Sequence, residues 1–145
     1  MAKEATTMST AELVGTMYEA FLRGDVPFLL EQMSESVDWE NWDDRNTAQA
    51  AGVDYLLHRK GVAGVTEFFQ SVAANLEPLD FRVLAIIGDR DEVVARVTTE
   101  WRVIPTGKTF IDEELHWWSF DPAGKVVGFR HYVDTAKHIE ANTVG

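Results

Sequence analysis

The sequence predicts an α+β fold in which three helices cover one face of a strongly curved antiparallel sheet and enclose an internal pocket. Up to about residue 76, three segments carry apolar residues at spacings of three and four, which is typical of amphipathic helices. From Leu79 onward apolar and polar residues alternate, and turn sequences at 88–91, 106–107 and 121–124 divide this part into four strands. Long twisted strands tend to curl, so we expect the pocket between the helices and the sheet.

The three helices have recognisable beginnings and apolar stripes. The first is expected to follow a capping box, in which Ser9 and Glu12 satisfy each other's backbone donors, and to end at Gly24. A second, short helix is expected to open at Asp25 and run to about Met33. The stripe of the first helix comprises Leu13, Val14, Met17, Tyr18 and Phe21. The stripe of the third comprises Val62, Val65, Phe68, Phe69, Val72 and Leu76.

The segments between these helices are less regular. A first strand is predicted over 37–42, where apolar and polar residues alternate. Residues 43–57 show weak periodicity, and we expect a loop with a brief strand near Tyr55. Residues 1–8 are interpreted as a disordered leader, 9–141 as a single domain and 142–145 as a tail.

The stretch 109–134 is predicted to form one long β-hairpin that reverses at 121–124. Because successive side chains of a strand point to opposite faces, acidic and imidazole side chains here share one face with apolar ones. The face expected to line the pocket carries Val97, Thr99, Trp101, Val103, Phe110, Asp112, Glu114, His116, Trp118, Val127, Phe129, His131 and Val133.

Turn geometry sets the expected register of the two hairpins. A four-residue turn directly after Phe120 places Glu114 opposite His131. A two-residue turn at 106–107 places Thr99 opposite Glu114. The sequence therefore predicts a group of imidazoles and a carboxylate on the inner face.

Composition limits the classes of function. A chain of 145 residues with 46% hydrophobic residues suits one domain, and a net charge of −11 argues against nucleic acids and anionic membranes as partners. Without cysteine there is no thiol nucleophile and no thiolate metal site. Because no apolar run approaches the roughly 20 residues of a membrane span, and no secretory segment is present, we expect a cytoplasmic protein.

Three segments carry a resemblance to a known superfamily: YEAFLRGDVPFLLEQMSESVDWENW at 18–42, GVAGVTEFFQSVAANL at 61–76 and GKVVGFRHYVDTAKHIEA at 124–141. Over roughly residues 10 to 140 the chain resembles the nuclear-transport-factor-2-like superfamily, and within it the SnoaL-like, ketosteroid-isomerase-related branch. The resemblance implies a cone-shaped, cystatin-like roll with an internal cavity. This fold serves isomerases, polyketide cyclases, epoxide hydrolases, dehydratases and binding modules, so it does not by itself select a function.

The resemblance also allows a comparison with the steroid isomerases of the family. They use a tyrosine of the first helix, an aspartate base at the end of the first strand and a protonated aspartic acid in the sheet. The matching positions here are Met17, Asn41 and His116, so none of the three residues is retained. Tyr18 lies one residue from the tyrosine position, about a hundred degrees around the helix. The family's usual isomerisation scheme is therefore not implied.

His116 is the first candidate for proton transfer, because an imidazole on an apolar face can act as an acid or a base near neutral pH. A core histidine hydrogen-bonded to a neighbour is the structural alternative. His131, with Glu114 across the strand, is the second candidate, as a base oriented by a carboxylate. A structural ion pair would explain this pairing equally well. A metal held by the two histidines is the least favoured interpretation, and we expect neither a metal nor a cofactor.

Other residues complete the predicted site. Asn41 can hold a substrate carbonyl or a water, or simply satisfy a strand end. Tyr18 can point its hydroxyl into the cavity, although filling the helix-sheet interface is favoured. Apolar walls for substrate are expected from Trp39, Trp101, Trp118, Phe69, Phe129 and Val133.

Outside this group, Asp112 is interpreted as a solvated rim residue, and His58 and His138 as surface residues. The outer sheet face carries more apolar area than a solvated face usually tolerates, and a homodimer through the sheets would cover it. The outer apolar residues are Ile111, Leu115, Trp117 and Tyr132.

The sequence thus supports two hypotheses. The first is a small, cofactor-independent enzyme that performs isomerisation, cyclisation, dehydration or hydrolysis by general acid-base chemistry on a small apolar carbonyl or cyclic substrate. The second is a non-catalytic module of the same fold that binds a small apolar molecule or dimerises.

Overall fold

The computed structural model describes residues 8–145 and confirms an α+β fold built on one six-stranded sheet. The helices are α1 (Thr10–Leu22), α2 (Val26–Glu31), α3 (Thr47–Ala50), α4 (Gly61–Asn75) and α5 (Thr135–Ala141). The strands are β1 (Met33–Trp39), β2 (Arg59–Lys60), β3 (Leu76–Asp89), β4 (Glu92–Val103), β5 (Thr109–Phe120) and β6 (Val126–Tyr132). Their order across the sheet is β2-β1-β6-β5-β4-β3. Most of the leader predicted at 1–8 lies outside the described residues.

The start of α1 follows the predicted capping box. The Ser9 hydroxyl accepts from the Glu12 amide at 3.1 Å, and the Glu12 carboxylate accepts from the Ser9 amide at 2.9 Å. Asp25 caps α2 in the same manner, accepting from the Phe28 amide at 3.2 Å. The second helix ends at Glu31, before the predicted boundary, because Met33 already belongs to β1.

The first strand lies earlier than the predicted 37–42, because it pairs with a distant partner. β1 runs parallel to β6, with Met33 beside Val126 and Trp39 beside Phe129. The regular strand ends at Trp39, since Glu40 adopts a left-handed backbone with φ of 62°. This parallel pairing places residues 33–39 beside residues 126–132 within the sheet.

Residues 43–57 contain helical turns in place of the predicted strand near Tyr55. Asn46 caps the short helix α3, and a 3₁₀ turn spans Asp54–Leu56. The side-chain amide of Gln49 joins the two by donating to the carbonyls of Glu40 and Leu56 at 2.8 and 3.0 Å. Turn-forming polar residues therefore organise a segment that hydrophobic periodicity could not describe.

The four-strand meander is confirmed, with both hairpins shifted by two residues from the predicted register. His116 lies opposite His131, and Val97, not Thr99, lies opposite Glu114. A shift of two preserves the face of every side chain, so the predicted inner face of β4 and β5 is correct. In β6 an irregularity near the turn turns Val126 inward in place of Val127.

Helix α5 was not predicted, although its start is a clear capping signal. The Asp134 carboxylate accepts from the Lys137 amide, and the helix buries His138 and Ala141. With only seven residues, α5 carries too short an apolar pattern to be recognised by period alone. It closes one end of the inner sheet face.

The outer sheet face is exposed as predicted. Ile111 and Leu115 are 60% and 43% accessible, and Trp117 and Tyr132 are exposed beside them. A homodimer through this face stays a prediction. None of the helices within residues 8–145 is both long and apolar enough to cross a membrane.

The turn between β3 and β4 provides a test of the hairpin geometry. Gly88 has φ of +115°, and a Cβ there would lie 2.3 Å from the Glu92 carbonyl oxygen. We expect Gly88→Ala to lower the free energy of unfolding by about 3 kcal/mol, because positive φ and the backbone clash both penalise a side chain. Urea denaturation measures the difference.

Gly124→Ala is the matched control. Its φ is +83°, but nothing lies within 4 Å of the added Cβ, so only the backbone cost of about 1 kcal/mol is expected. Equal losses in the two variants would contradict the close approach described for Gly88.

Candidate functional site

The helices and the inner sheet face enclose a cavity in which the centres of water molecules can occupy about 70 Å³. One water needs roughly 10–15 Å³ by this measure, so the cavity has room for a small guest. Its lining includes all the predicted wall residues: Tyr18, Trp39, Phe69, Trp101, Trp118, Phe129 and Val133. Three predicted proton-transfer residues, Glu114, His116 and His131, also line it. The structure thus brings ten of the eleven predicted site residues together.

His116 lies at the centre of a buried hydrogen-bonded chain. Its Nε2 lies 2.8 Å from the Glu114 carboxylate, and its Nδ1 lies 2.5 Å from the Tyr18 hydroxyl. The indole N–H of Trp118 donates to the Tyr18 oxygen at 3.2 Å. Tyr18 therefore both packs in the helix-sheet interface and directs its hydroxyl into the polar group, which sequence analysis had disfavoured.

The direction of these hydrogen bonds follows from the charges. Burial lowers the pKa of His116, although the Glu114 hydrogen bond opposes this, so the ring is neutral. Because Glu114 accepts at Nε2, that nitrogen carries the proton and Nδ1 accepts from the Tyr18 hydroxyl. Burial also raises the pKa of Tyr18 far above its usual value, which keeps the hydroxyl protonated. Both nitrogens of His116 are thus occupied by side chains.

His131 is oriented by Glu40, so the predicted partner Glu114 is wrong. The Glu40 carboxylate accepts hydrogen bonds from Nδ1 of His131, from the His131 amide at 3.0 Å and from the Trp42 indole at 3.0 Å. Within residues 8–145, no group hydrogen-bonds Nε2 of His131, and 13% of the side chain remains accessible. The ring lines the cavity with one nitrogen held and one nitrogen free.

Sequence analysis missed Glu40 because it lies next to Asn41, the predicted position. Glu40 is 1% exposed, and its left-handed backbone turns the carboxylate inward at the end of β1. Its amide donates to the Phe129 carbonyl at 2.8 Å, which anchors this backbone to β6. The sequence offered one signal of its role, because Glu40 lies between Trp39 and Trp42 at the end of the strand.

Asn41 does not line the cavity, and its predicted role in holding substrate is corrected. Its side chain donates to the Asp38 carboxylate at 2.8 Å and accepts from the Asp43 amide at 3.1 Å. Both contacts organise the turn after β1, which is the structural alternative considered for this residue. His58 is exposed as predicted and pairs with Asp38.

A second buried network contradicts the surface assignments of Asp112 and His138, each of which is 2% exposed. Nε2 of His138 lies 3.0 Å from Asp112 and 3.5 Å from Glu114. Its Nδ1 shares a hydrogen bond with the Tyr55 hydroxyl at 2.8 Å, and Asn142 donates to the same hydroxyl at 3.0 Å. Helix α5 is therefore connected to the cavity through His138.

The two networks meet at Glu114. Burial acts to raise the pKa of Glu114, but hydrogen bonds from His116 and His138 outweigh it and hold the pKa well below its usual range. For His138, burial acts to lower the pKa, but the hydrogen bonds to Asp112 and Glu114 outweigh it and raise the pKa. Glu114 is thus a carboxylate between one imidazole whose charged form is disfavoured by burial and one whose charged form is favoured by its carboxylate partners.

Among residues 8–145, two groups of side chains are close enough to hold a cation, with ligand atoms within 4.8 Å of one another. One comprises Glu114, His116 and His131, and the other Asp112, Glu114 and His138. In each group, hydrogen bonds between the members already engage the Glu114 oxygens, so an ion would have to displace protons from an imidazole. The expectation of no metal and no cofactor stays a prediction.

The buried imidazolium of His138 provides a stability test. We expect His138→Gln to lower the free energy of unfolding by roughly 3 kcal/mol, because two buried carboxylates lose their cationic partner. A raised folded pKa contributes stability below the unfolded value of about 6.5 and loses it as pH rises through the folded value. The loss in the variant should therefore be larger at about pH 6 than at about pH 9, as measured by urea denaturation.

His58→Gln is the control, since His58 also pairs with a carboxylate but is exposed. Its effect should stay below about 1 kcal/mol, as is usual for surface pairs. A His138→Gln loss that matched the control, or that grew with pH, would contradict a buried cation.

Comparison with known proteins places this geometry in a family. The SnoaL-like domain model matches residues 14–129. The sequence has no match among curated proteins.

Solved structures share the fold at low sequence identity. An NTF2-like protein of unknown function from Burkholderia pseudomallei is 24% identical, with a TM-score of 0.75 over 94% of this chain and 100% of its own. An NTF2-like protein from Burkholderia thailandensis is 20% identical, with a TM-score of 0.79 over 94% and 99%. A protein described as a SnoaL-like polyketide cyclase from Mesorhizobium loti is 17% identical, with a TM-score of 0.66 over 86% and 99%. On the match to most of its length, this chain belongs to the SnoaL-like domain family of the NTF2-like fold.

Proposed function

We propose that the protein is a cofactor-independent enzyme that performs general acid-base chemistry on a small apolar carbonyl or cyclic substrate, with His131 as the base. The observation that carries this proposal is that the two nitrogens of the His131 ring have different surroundings. Nδ1 is held by Glu40, whereas Nε2 has no hydrogen-bond partner among the described residues, and the partly accessible side chain lines the cavity. A base needs this combination of a fixed orientation and a free lone pair.

Glu40 would stabilise the charge that His131 gains. When Nε2 takes a proton from the substrate, the ring becomes an imidazolium whose Nδ1–H already donates to a carboxylate. Because Glu40 is buried and accepts three hydrogen bonds, it needs little rearrangement to stabilise that cation. This assignment moves the principal proton-transfer role from His116 to His131.

Glu114 would support the charge on His131, and His116 would hold the Glu114 carboxylate in place. Ring nitrogens of His116 and His131 and a Glu114 oxygen lie within 4.8 Å of one another, so a substrate atom at His131 is also close to this pair. Nε2 of His131 can return its proton to another atom of the same substrate, which gives isomerisation or cyclisation. Return to a leaving hydroxyl gives dehydration, and proton removal from a water gives hydrolysis.

The walls support an apolar substrate. Trp39 and Phe129 stack with ring centroids 4.1 Å apart, and Trp118 lies 4.4 Å from Phe129. Aromatic surfaces of this kind bind apolar ring systems and keep water from the reacting atoms. A cyclic substrate is also compatible with the structural neighbour that is described as a polyketide cyclase. At 17% sequence identity, that likeness shows a shared fold and not a shared substrate.

Proton abstraction can be tested without knowing the natural substrate. We expect the protein to accelerate hydrogen-deuterium exchange at the carbon next to the carbonyl of 2-tetralone, a neutral bicyclic ketone. His131→Gln should lower the excess rate by at least about 100-fold, because a positioned base contributes roughly 10² to 10⁴. Glu40→Gln should lower it by at least about tenfold, since the charge on the ring is then uncompensated. Proton NMR in D₂O measures the exchange.

The exposed His58 gives a matched control, because His58→Gln also removes an imidazole paired with a carboxylate. That variant should exchange 2-tetralone at the rate of the unaltered protein. Unchanged exchange in folded His131→Gln protein would exclude His131 as the base.

A non-catalytic binding module is the second candidate. It is favoured by the hydrogen bonding of His116, which leaves neither ring nitrogen available to a substrate. Both nitrogens of that ring are hydrogen-bonded to Tyr18 and Glu114, as expected for a structural histidine. Tight ligand binding with no excess exchange for any carbon acid that binds would select this function.

A further inference from the structure

We propose that the cavity selects an uncharged substrate, which presents a single acidic proton to Nε2 of His131, and rejects carboxylates and phosphate esters. The assignment of His131 as the contact rests on the proposed function above. The exclusion of anions rests on a separate observation, which is the balance of buried charge around the cavity.

With His116 neutral, the buried ionisable groups described around the cavity sum to a negative charge whether or not His131 and His138 are protonated. Three carboxylates, those of Glu40, Asp112 and Glu114, are 1%, 2% and 4% exposed. His116 is neutral near pH 7 because burial lowers its pKa, so among the described residues of this group only His131 and His138 remain as possible cations. At least one negative charge is therefore left uncompensated.

Among the described lining residues, only histidines can carry a positive charge, and His138 already pairs with Asp112 and Glu114, and His131 with Glu40. Glu114 is a lining residue, and no lysine or arginine is found among the residues that line the cavity within 8–145. Carboxylate and phosphate groups are normally bound by arginine, lysine or clustered backbone amides. Because the surroundings are apolar and poorly screened, repulsion between Glu114 and a bound anion would act at nearly full strength.

A cationic ligand is also disfavoured, because the carboxylates are already hydrogen-bonded. The Glu114 oxygens pair with His116 and His138, and the Glu40 oxygens pair with His131 and Trp42. A buried ammonium would lose its hydration and would have to share these acceptors with the hydrogen bonds already present, which offsets its attraction to the negative charge. An uncharged molecule is neither repelled by Glu114 nor required to lose the hydration of a charged group.

The polar contact available to such a molecule defines its reacting end. Among the described residues Nε2 of His131 has no partner, while the Tyr18 hydroxyl and both nitrogens of His116 are engaged. The indole N–H of Trp39 also has no partner, but this atom is buried. The substrate would therefore place one hydroxyl, or one acidic C–H beside a carbonyl, at this nitrogen. Its remaining ring surface would lie against Trp39, Trp118 and Phe129.

Three naphthalenes of matched shape test the charge rule. Binding of naphthalene-2-carboxamide, 2-naphthoate and 2-(aminomethyl)naphthalene to the full chain is measured at about pH 8 by calorimetry and tryptophan fluorescence. We expect the neutral carboxamide to bind at least tenfold tighter than the carboxylate and tighter than the ammonium compound. Equal or tighter binding of either charged probe, or no binding of the carboxamide, would overturn the proposal.

Glu114→Gln tests the origin of the selectivity, with folding checked by circular dichroism. Removing one buried negative charge should reduce the preference for carboxamide over carboxylate by at least threefold. An undiminished preference in the folded variant would overturn the electrostatic origin. If this variant does not fold, Glu40→Gln gives the same test, because it removes a charge from the same set.

The result is separable from the proposed function. If 2-tetralone exchange is accelerated but the carboxylate binds as well as the carboxamide, only the charge rule fails. If the carboxamide is preferred but no carbon acid exchanges, the charge rule stands and the role of His131 as a base fails.

Discussion

The parallel pairing of β1 with β6 is the constraint on which the candidate site depends. It aligns Trp39 with Phe129, so that the next residue, Glu40, reaches His131 two positions further along β6. The left-handed backbone of Glu40 then directs its carboxylate inward, where it would otherwise follow the strand toward solvent. Without this pairing, His131 would have no orienting partner on the adjacent strand. The fold thus builds the dyad from two segments about ninety residues apart.

The inner face of the sheet also buries a network of carboxylates and imidazoles. Three carboxylates and three imidazoles described in residues 8–145 lie among apolar side chains, and each makes at least one hydrogen bond to another member or to a neighbouring hydroxyl, amide or indole. Such networks are costly when a partner is lost, which makes them specific in geometry. Here Glu114 joins the His116 chain to His138 on α5. Helix α5 therefore contributes a titratable group, His138, to the site in addition to packing against the sheet.

Sequence reasoning recovered what depends on periodicity and missed what depends on long-range pairing. The inner face of β5 was predicted correctly because a register shift of two leaves Glu114 and His116 on the same side. The partner of His131 could not be predicted, since it follows from the β1–β6 pairing, which no local pattern encodes. His138 was misplaced because α5 is too short to show its buried face, and Asp112 was misplaced with it because His138 is its partner.

The central claim is that His131 and His116 hold opposite tautomers, one with a free nitrogen in the cavity and one fully engaged. Long-range ¹H–¹⁵N NMR correlation of the histidine rings at about pH 8 measures this directly. The structure predicts that His131 is protonated at Nδ1 with a bare Nε2, and that His116 is protonated at Nε2 with Nδ1 accepting a hydrogen bond. A spectrum in which His131 carries its proton on Nε2 would contradict the account, because the cavity would then contain no free base.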